Sequence, residues 1–465
     1  MVNMYPDFPS KFIKASVLIA FWAGINMGTH VAFSIGFGFD LGPGYHAYIQ
    51  THGSLQLIGW VGLFIMGVSI HFLSRLAHFK FVDENKITLI YRLMVSGLIF
   101  RFFFHSILPY FHDSIWYGIL SLGVVISATL IAMGIYDYII FLISIVGSMQ
   151  PSLFKTNRDI RVFLIMNIIG WVVYAVGSLI LTIYMMASHE VSLIHNWHIF
   201  LVDFFILFSV FPICFGVGLR ALPLFLRLPP IKWNVKKFSL IYFIVIFSLI
   251  NFKLINHYIY IDWLQELIYS LSILKDMIII WFIFKLDILN NFTHPRTFEN
   301  KKERVPYRKE LRKGFPDYGE FGRFEWLIRP AFFWLLIGLI LDILSQIGLM
   351  FKIQMGIGID GIRHLWLAGF VSLLIMGMAL RMIPGMTGAM KLEKPNRVAI
   401  LSIIMNLSVI FRTMSIVLPE SILYSVPNGG LIATRMFGLS GFLFLFGLGI
   451  FYYLMKPVLK INQGA

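Results

Sequence analysis

Thr51-His52-Gly-Ser-Leu-Gln-Leu-Ile-Gly-Trp60, continuing through Gly67-Val-Ser-Ile-His71-Phe-Leu-Ser74, is the stretch whose reading decides the fold. Two later stretches follow the same plan. One runs from Trp197-His198 to Gly216-Val-Gly-Leu-Arg220-Ala-Leu-Pro223, the other from Arg363-His364 to Gly377-Met-Ala-Leu-Arg381-Met-Ile-Pro384. Each opens on a histidine, crosses one apolar helix length and closes on Gly-x-x-x-(His or Arg)-x-x-(Ser or Pro). The closing cations His71, Arg220 and Arg381 recur about every 150 residues, which is the signature of one unit built three times.

Working outward, the chain of 465 residues is 58% hydrophobic and 13% charged, too apolar for a water-soluble protein. A helix needs about 20 apolar residues to cross a bilayer. Twelve such runs are expected, near 12–38, 48–74, 87–108, 115–146, 160–187, 197–222, 235–256, 263–290, 327–350, 362–385, 397–418 and 429–456. The fold class is therefore an all-α integral membrane bundle of three four-helix units: 11–147, 160–290 and 327–457, within a single domain. Further landmarks stay in register. Asn85, Asn234 and Asn396 open the third, seventh and eleventh spans. Ile99-Phe100-Arg101, Asn251-Phe252-Lys253 and Ile410-Phe411-Arg412 follow at matching depth, and Pro109 and Pro419 close the third and eleventh.

The net charge of +15 is topological. Lys and Arg crowd the even-numbered connections (Arg75, Lys80 and Lys86; Lys155, Arg158 and Arg161; Arg227, Lys232, Lys236 and Lys237; Lys391, Lys394 and Arg397) and are sparse in the odd ones. That bias puts both termini in the cytoplasm, in a bacterial inner membrane, and leaves no reason to invoke nucleic acid. A cytoplasmic linker, 291–326, carries nine Lys/Arg and six Asp/Glu. The single cysteine, Cys214, excludes a disulfide framework and a CxxCH haem attachment.

Ten of the thirteen histidines fall on the outer side under this topology. His52, His198 and His364 begin equivalent spans, and His30 and His105 end the first and third. Neutral imidazole binds haem iron or copper, so these five are the candidate metal ligands. The alternative is a polar residue at a wet boundary. Arg101, Arg412, Arg435 and Arg363 lie within or beside spans on the same side, where an unpaired cation is costly. An arginine fork holds a carboxylate, so they suit haem propionates. An internal ion pair, with Asp203 or Asp342, is the competing reading. His71, Arg220 and Arg381 are expected at the inner helix ends, facing the helix dipole and lipid head groups, and Gly67, Gly216 and Gly377 at close helix contacts.

His52-Gly-Ser-Leu-Gln-Leu-Ile-Gly-Trp60 with Met66-Gly67 resembles the histidine-bearing second helix of the NnrS family. Arg363-His364 through Arg381-Met-Ile-Pro-Gly-Met-Thr-Gly388, and Arg329-Pro-Ala-Phe-Phe333, resemble that family's later motifs. The resemblance implies a twelve-span membrane protein associated with b-type haem and copper that handles nitric oxide. A more distant likeness is to the catalytic subunit of haem–copper oxidases and nitric oxide reductases, with ligands on helices 2, 6, 7 and 10. The chain departs from it: span 7 lacks a His-His pair, Val202 stands four residues after His198, and span 10 has one histidine. On this reading His52 and His364 ligate haem across the bundle. His198, with His30 or His105, holds copper or leaves an open place for a diatomic ligand, NO or O2. The other readings are a divergent respiratory oxidoreductase fed by an electron-donor subunit, and a twelve-span secondary transporter. A repeat of four helices, each copy in the same orientation, weighs against the transporter.

Overall fold

A computed structural model describes residues 7–79, 83–149, 159–289, 319–353, 355–389, 391–418, 423 and 425–463. Most of the expected linker, together with Lys80, Lys155, Arg158, His294 and Pro419, lies outside the described residues. Within them the chain is helical, with no strand.

Twelve helices are long and apolar enough to cross a membrane, and the chain is a multi-pass membrane protein. The first four are α1 (Ser10–Phe37), α2 (Gly42–Leu76), α3 (Glu84–His105) and α4 (Tyr117–Ser148). Next come α5 (Arg161–Ala187), α6 (His195–Phe225), α7 (Val235–Tyr258) and α8 (Asp262–Leu286). The last are α9 (Glu325–Met350), α10 (Ile359–Thr387), α11 (Arg397–Ser415) and α12 (Gly429–Met455). Helix starts follow ordinary capping chemistry. The Asp83 carboxylate accepts from the Asn85 amide, and the Asn234 side chain from the Lys237 amide at 3.0 Å.

The three quoted stretches form α2, α6 and α10, and these are the inner helices. Their most apolar windows are 89, 72 and 83% buried, against 33–50% for the other nine. Those nine pack in a closed circuit: α1 on α3, then α4, α5, α7, α8, α9, α11, α12 and back to α1. Their outward faces keep large apolar side chains exposed, such as Tyr136, Ile180 and Phe446, which a bilayer would cover. Small residues bring inner and outer helices together. A Cβ at Gly67 would fall 2.8 Å from Phe12 Cβ of α1, and one at Gly377 2.6 Å from Ile328 of α9. At Gly216 the nearest atom, on Phe163 of α5, is at an ordinary 3.5 Å.

Two of the closing cations pack against aromatic rings. α2 continues to Leu76, so His71 lies inside the bundle, 1% exposed and edge-on to Phe8. Arg381 sits over the rings of Phe225 and Phe321, at 4.8 and 4.4 Å. Those rings give the Arg381 guanidinium a cation–π seat near the end of α10.

Five segments among the described residues widen into π-helix: Ala20–Gly24, Leu55–Gly62, Arg101–His105, Ile206–Val210 and Leu365–Ser372. Such turns insert one residue into the helical ladder and recur at functional sites. Here they fall on α1, α2, α3, α6 and α10, the helices that carry the candidate histidines.

Candidate functional site

His52 stands at the last α-helical turn before the wide segment of α2. Its Nδ1 is 2.7 Å from the Gly24 carbonyl, at the close of the wide turn of α1. A carbonyl only accepts, so Nδ1 carries the proton and Nε2 offers its lone pair. Gly28, one turn further along α1, makes room for the ring: a Cβ there would come within 2.3 Å of His52 Cε1.

His364 precedes the wide segment of α10 in the same way. Its Nδ1 lies 2.6 Å from the Asp360 carbonyl, which selects the same tautomer. Its Nε2 accepts from an Arg412 N–H at 2.9 Å. Arg412 also lies over the Phe437 ring of α12 at 4.3 Å and is within charge reach of His52, as the two imidazoles are of each other. α1, α2, α10, α11 and α12 thus bring two histidines, each turned by a main-chain carbonyl, to one arginine. Arg435 of α12 lies over Phe37 of α1 at 4.4 Å.

A second cluster gathers around α3. His105 is fully buried, with Nδ1 2.8 Å from Thr51 Oγ1. Thr51 spends its proton on the Ala47 carbonyl at 2.8 Å, so it accepts from His105. That leaves His105 Nε2, near the Val191 main chain, without a hydrogen bond of good geometry among the described residues. Arg101, 2% exposed, has Nε and one terminal nitrogen equally unmatched. His198 lies within charge reach of both.

The remaining candidates are placed elsewhere. His30 is exposed and 3.2 Å from the Tyr48 hydroxyl. Arg363 grips Asp203 of α6 with a two-bond fork, 2.8 and 2.9 Å, and Asp360 at 2.8 Å. Its hydrogen-bonding capacity therefore goes to an internal ion pair, one of the two readings the sequence left open. Among the described residues, no three or more His, Cys, Asp or Glu side chains converge as a metal site. His105 and His198 lie within charge reach of one another, and among the described residues no third donor joins them.

Two features escaped the sequence reading. The wide turns have no signature in an all-apolar stretch. Lys275 and Asp276, however, stand in mid-span on α8 and could have been found, because ionisable residues inside a span are functional hypotheses by default. Lys275 Nζ is 2.7 Å from Asp276 and 2.8 Å from Asp342 of α9, all three at most 5% exposed. Gln346 donates to the other Asp342 oxygen at 2.9 Å, and Lys275 lies over the Trp366 ring of α10 at 4.8 Å.

The fold has a relative among solved structures. A heme-copper terminal oxidase dimer structure superposes with a TM-score of 0.58 over 97% of this chain and 83% of that one, at 16% sequence identity. No protein-family model and no curated protein matches the sequence. At that identity the similarity establishes the architecture, a distant oxidase-like membrane bundle.

Proposed function

We propose that the chain is a haem-binding membrane protein of NnrS type that binds or handles nitric oxide or another diatomic gas, or shields metal centres from it. One observation carries this reading: His52 and His364 are each held through Nδ1 by a main-chain carbonyl, and Arg412, which donates to His364 Nε2, is within charge reach of His52. A carbonyl on the far nitrogen is how proteins orient an imidazole for a metal. The residues fit a haem. His52 and His364 would hold its iron, with Arg412 and Arg435 at the propionates. Bound there, the group would supply an iron for electron transfer or for a gas ligand. One cysteine in the whole chain excludes a CxxCH attachment, so the haem would be held non-covalently, as a b-type haem is. His364 Nε2 would give up its Arg412 hydrogen bond on holding the iron.

Copper, held by His198 with His30 or His105, belongs to the same proposal, although among the described residues no three His, Cys, Asp or Glu side chains converge. The three-unit repeat, with α2, α6 and α10 as its equivalent inner helices, belongs to the same proposal. So do the bacterial inner membrane and the cytoplasmic termini, while an electron-donor subunit belongs to the alternative of a respiratory reductase. The oxidase-like bundle keeps a divergent respiratory reductase in view, and the buried charges of α8 and α9 favour a transporter as the other alternative.

The test is an optical spectrum of the purified protein, oxidised and dithionite-reduced, with a pyridine haemochrome. Sharp reduced α and β bands, lost in His52→Ala and in His364→Ala, support the proposal, and nitric oxide titration then reads the gas ligand. A colourless protein from haem-replete cells sinks it and turns attention to the α8–α9 charges as a transport path.

A further inference from the structure

Several cations inside the spans have visible partners. Arg363 closes the Nε–Nη2 edge of its guanidinium on the two Asp203 oxygens, at 2.8 and 2.9 Å. Lys275 has Asp276 and Asp342, and Arg412 has His364 and the Phe437 ring. Arg101 breaks the pattern. It opens the wide turn of α3 and is 2% exposed, yet the same two nitrogens, Nε and Nη2, have no hydrogen-bond partner among the described residues. The titratable side chains within charge reach of it are Tyr174, His105 and His198, with no carboxylate among them. A guanidinium does not shed its proton to escape burial, and a buried charge left without a counter-ion is strongly destabilising. The haem reading, with Arg412 and Arg435 at the propionates, gives Arg101 nothing to do.

The two free N–H groups define what would satisfy them. They lie along one edge of a planar fork, and Asp203 on Arg363 shows the matching shape: two oxygens side by side on a planar anion. One buried positive charge calls for one negative charge, so a dianion such as sulfate would leave a fresh charge unbalanced. A halide offers a single centre to two donors. The connection from α5 to α6 closes over this end of the cluster. Gln50 exchanges two hydrogen bonds with Leu193, each at 2.8 Å, and the Val191 main chain is near His105. That cover favours a short anion.

We propose that Arg101 binds a small planar monovalent oxyanion, of the formate, nitrite or bicarbonate class, held side-on through Nε and Nη2 and admitted beside the α5–α6 connection. The site uses neither the haem iron nor a haem propionate, and it stands whether or not His105 and His198 hold copper.

The experiment is equilibrium dialysis of radiolabelled formate against the full detergent-solubilised chain, in a buffer free of carboxylates. One formate per chain is expected, displaced by nitrite and not by chloride or sulfate at equal ionic strength. Arg101→Lys keeps the charge but loses the fork, so it should bind about tenfold more weakly or worse. Arg101→Met should not bind. Because it also removes the unpaired charge, Arg101→Met should melt above the native chain in formate-free buffer, and formate should raise the melting temperature of the native chain alone. Full binding by Arg101→Met overturns the proposal, as does displacement by chloride and sulfate as readily as by nitrite. His52→Ala, haem-depleted on the reading above, should bind formate as the native chain does. Binding lost with the haem would make formate an iron ligand, and binding gained only on haem loss would make the fork a propionate seat; either result overturns the proposal. A native chain that is colourless yet binds formate keeps this site while the haem reading fails.

Discussion

At the residue scale, the seat of His52 is the sharpest test of the site. Alanine is a better helix former than glycine by about 1 kcal/mol, so Gly28→Ala should favour α1 locally. It should still displace the His52 ring, which a Cβ would approach at 2.3 Å. Loss of an orienting contact lowers metal affinity by about 10–100-fold, and haem retention through gel filtration should fall accordingly. Gly53→Ala is the control, because nothing lies within 4 Å of its Cβ position. Equal haem loss in both variants would reject the seat. Arg363 makes a different point. Its two-bond fork on Asp203 predicts that Arg363→Ala and Asp203→Ala are not additive. A double-mutant cycle on thermal unfolding should return a coupling of about 1–3 kcal/mol, and a coupling near zero would dissolve the pair. The sequence could name Arg363 and Asp203 as partners, since both are ionisable groups inside spans. It could not choose Asp203 over a propionate, because that depends on how α6 and α10 are rotated.

At the element scale, that rotation is set by the wide turns. Each π segment adds one residue, so side chains before and after it differ by roughly 100° from a continuous α-helix. Deleting Ala368, inside Leu365–Ser372, should restore the α register and swing His364 away from Arg412 while the later half of α10 keeps its packing. The variant should fold and lose the His364-dependent spectrum; an unchanged spectrum would show that the turn does not aim the histidine. None of this is legible from hydropathy, because α2 and α10 are apolar on nearly every face and a one-residue insertion leaves no break in the pattern. The ionic cluster of α8 and α9 is the opposite case, visible in the sequence as Lys275-Asp276 within an apolar run. Removing one member, Lys275→Met, leaves two buried carboxylates without their cation and should cost about 3–5 kcal/mol. Replacing all three by Met, Leu and Leu should recover most of that loss if the cluster is structural. Full stability with lost activity in the triple variant would instead assign it a functional role.

At the scale of the whole molecule, the number of spans followed from run lengths and basic connections. Their arrangement in depth did not, because hydropathy scores a lipid-facing leucine and a protein-facing leucine alike. The histidine-bearing stretches were singled out for their shared motif, and that motif turns out to mark the three helices with the least outward surface. The physical link is crowding: an inner helix must accept neighbours on all sides, so it carries glycines such as Gly67 and Gly377 where an outer helix can carry Phe or Ile. The arrangement makes a prediction that needs no substitution. A lipid-dissolved diazirine, photolysed in nanodiscs and mapped by mass spectrometry, should label the outward side chains of α4, α5 and α12. Tyr136, Ile180 and Phe446, 64, 59 and 62% exposed, are the expected targets. Peptides from α2, α6 and α10 should be nearly silent, including the one around Leu219, which is fully buried. Labelling of α6 at the level of α5 would break the circuit of nine helices around three, and with it the enclosed space that brings His52 and His364 to Arg412.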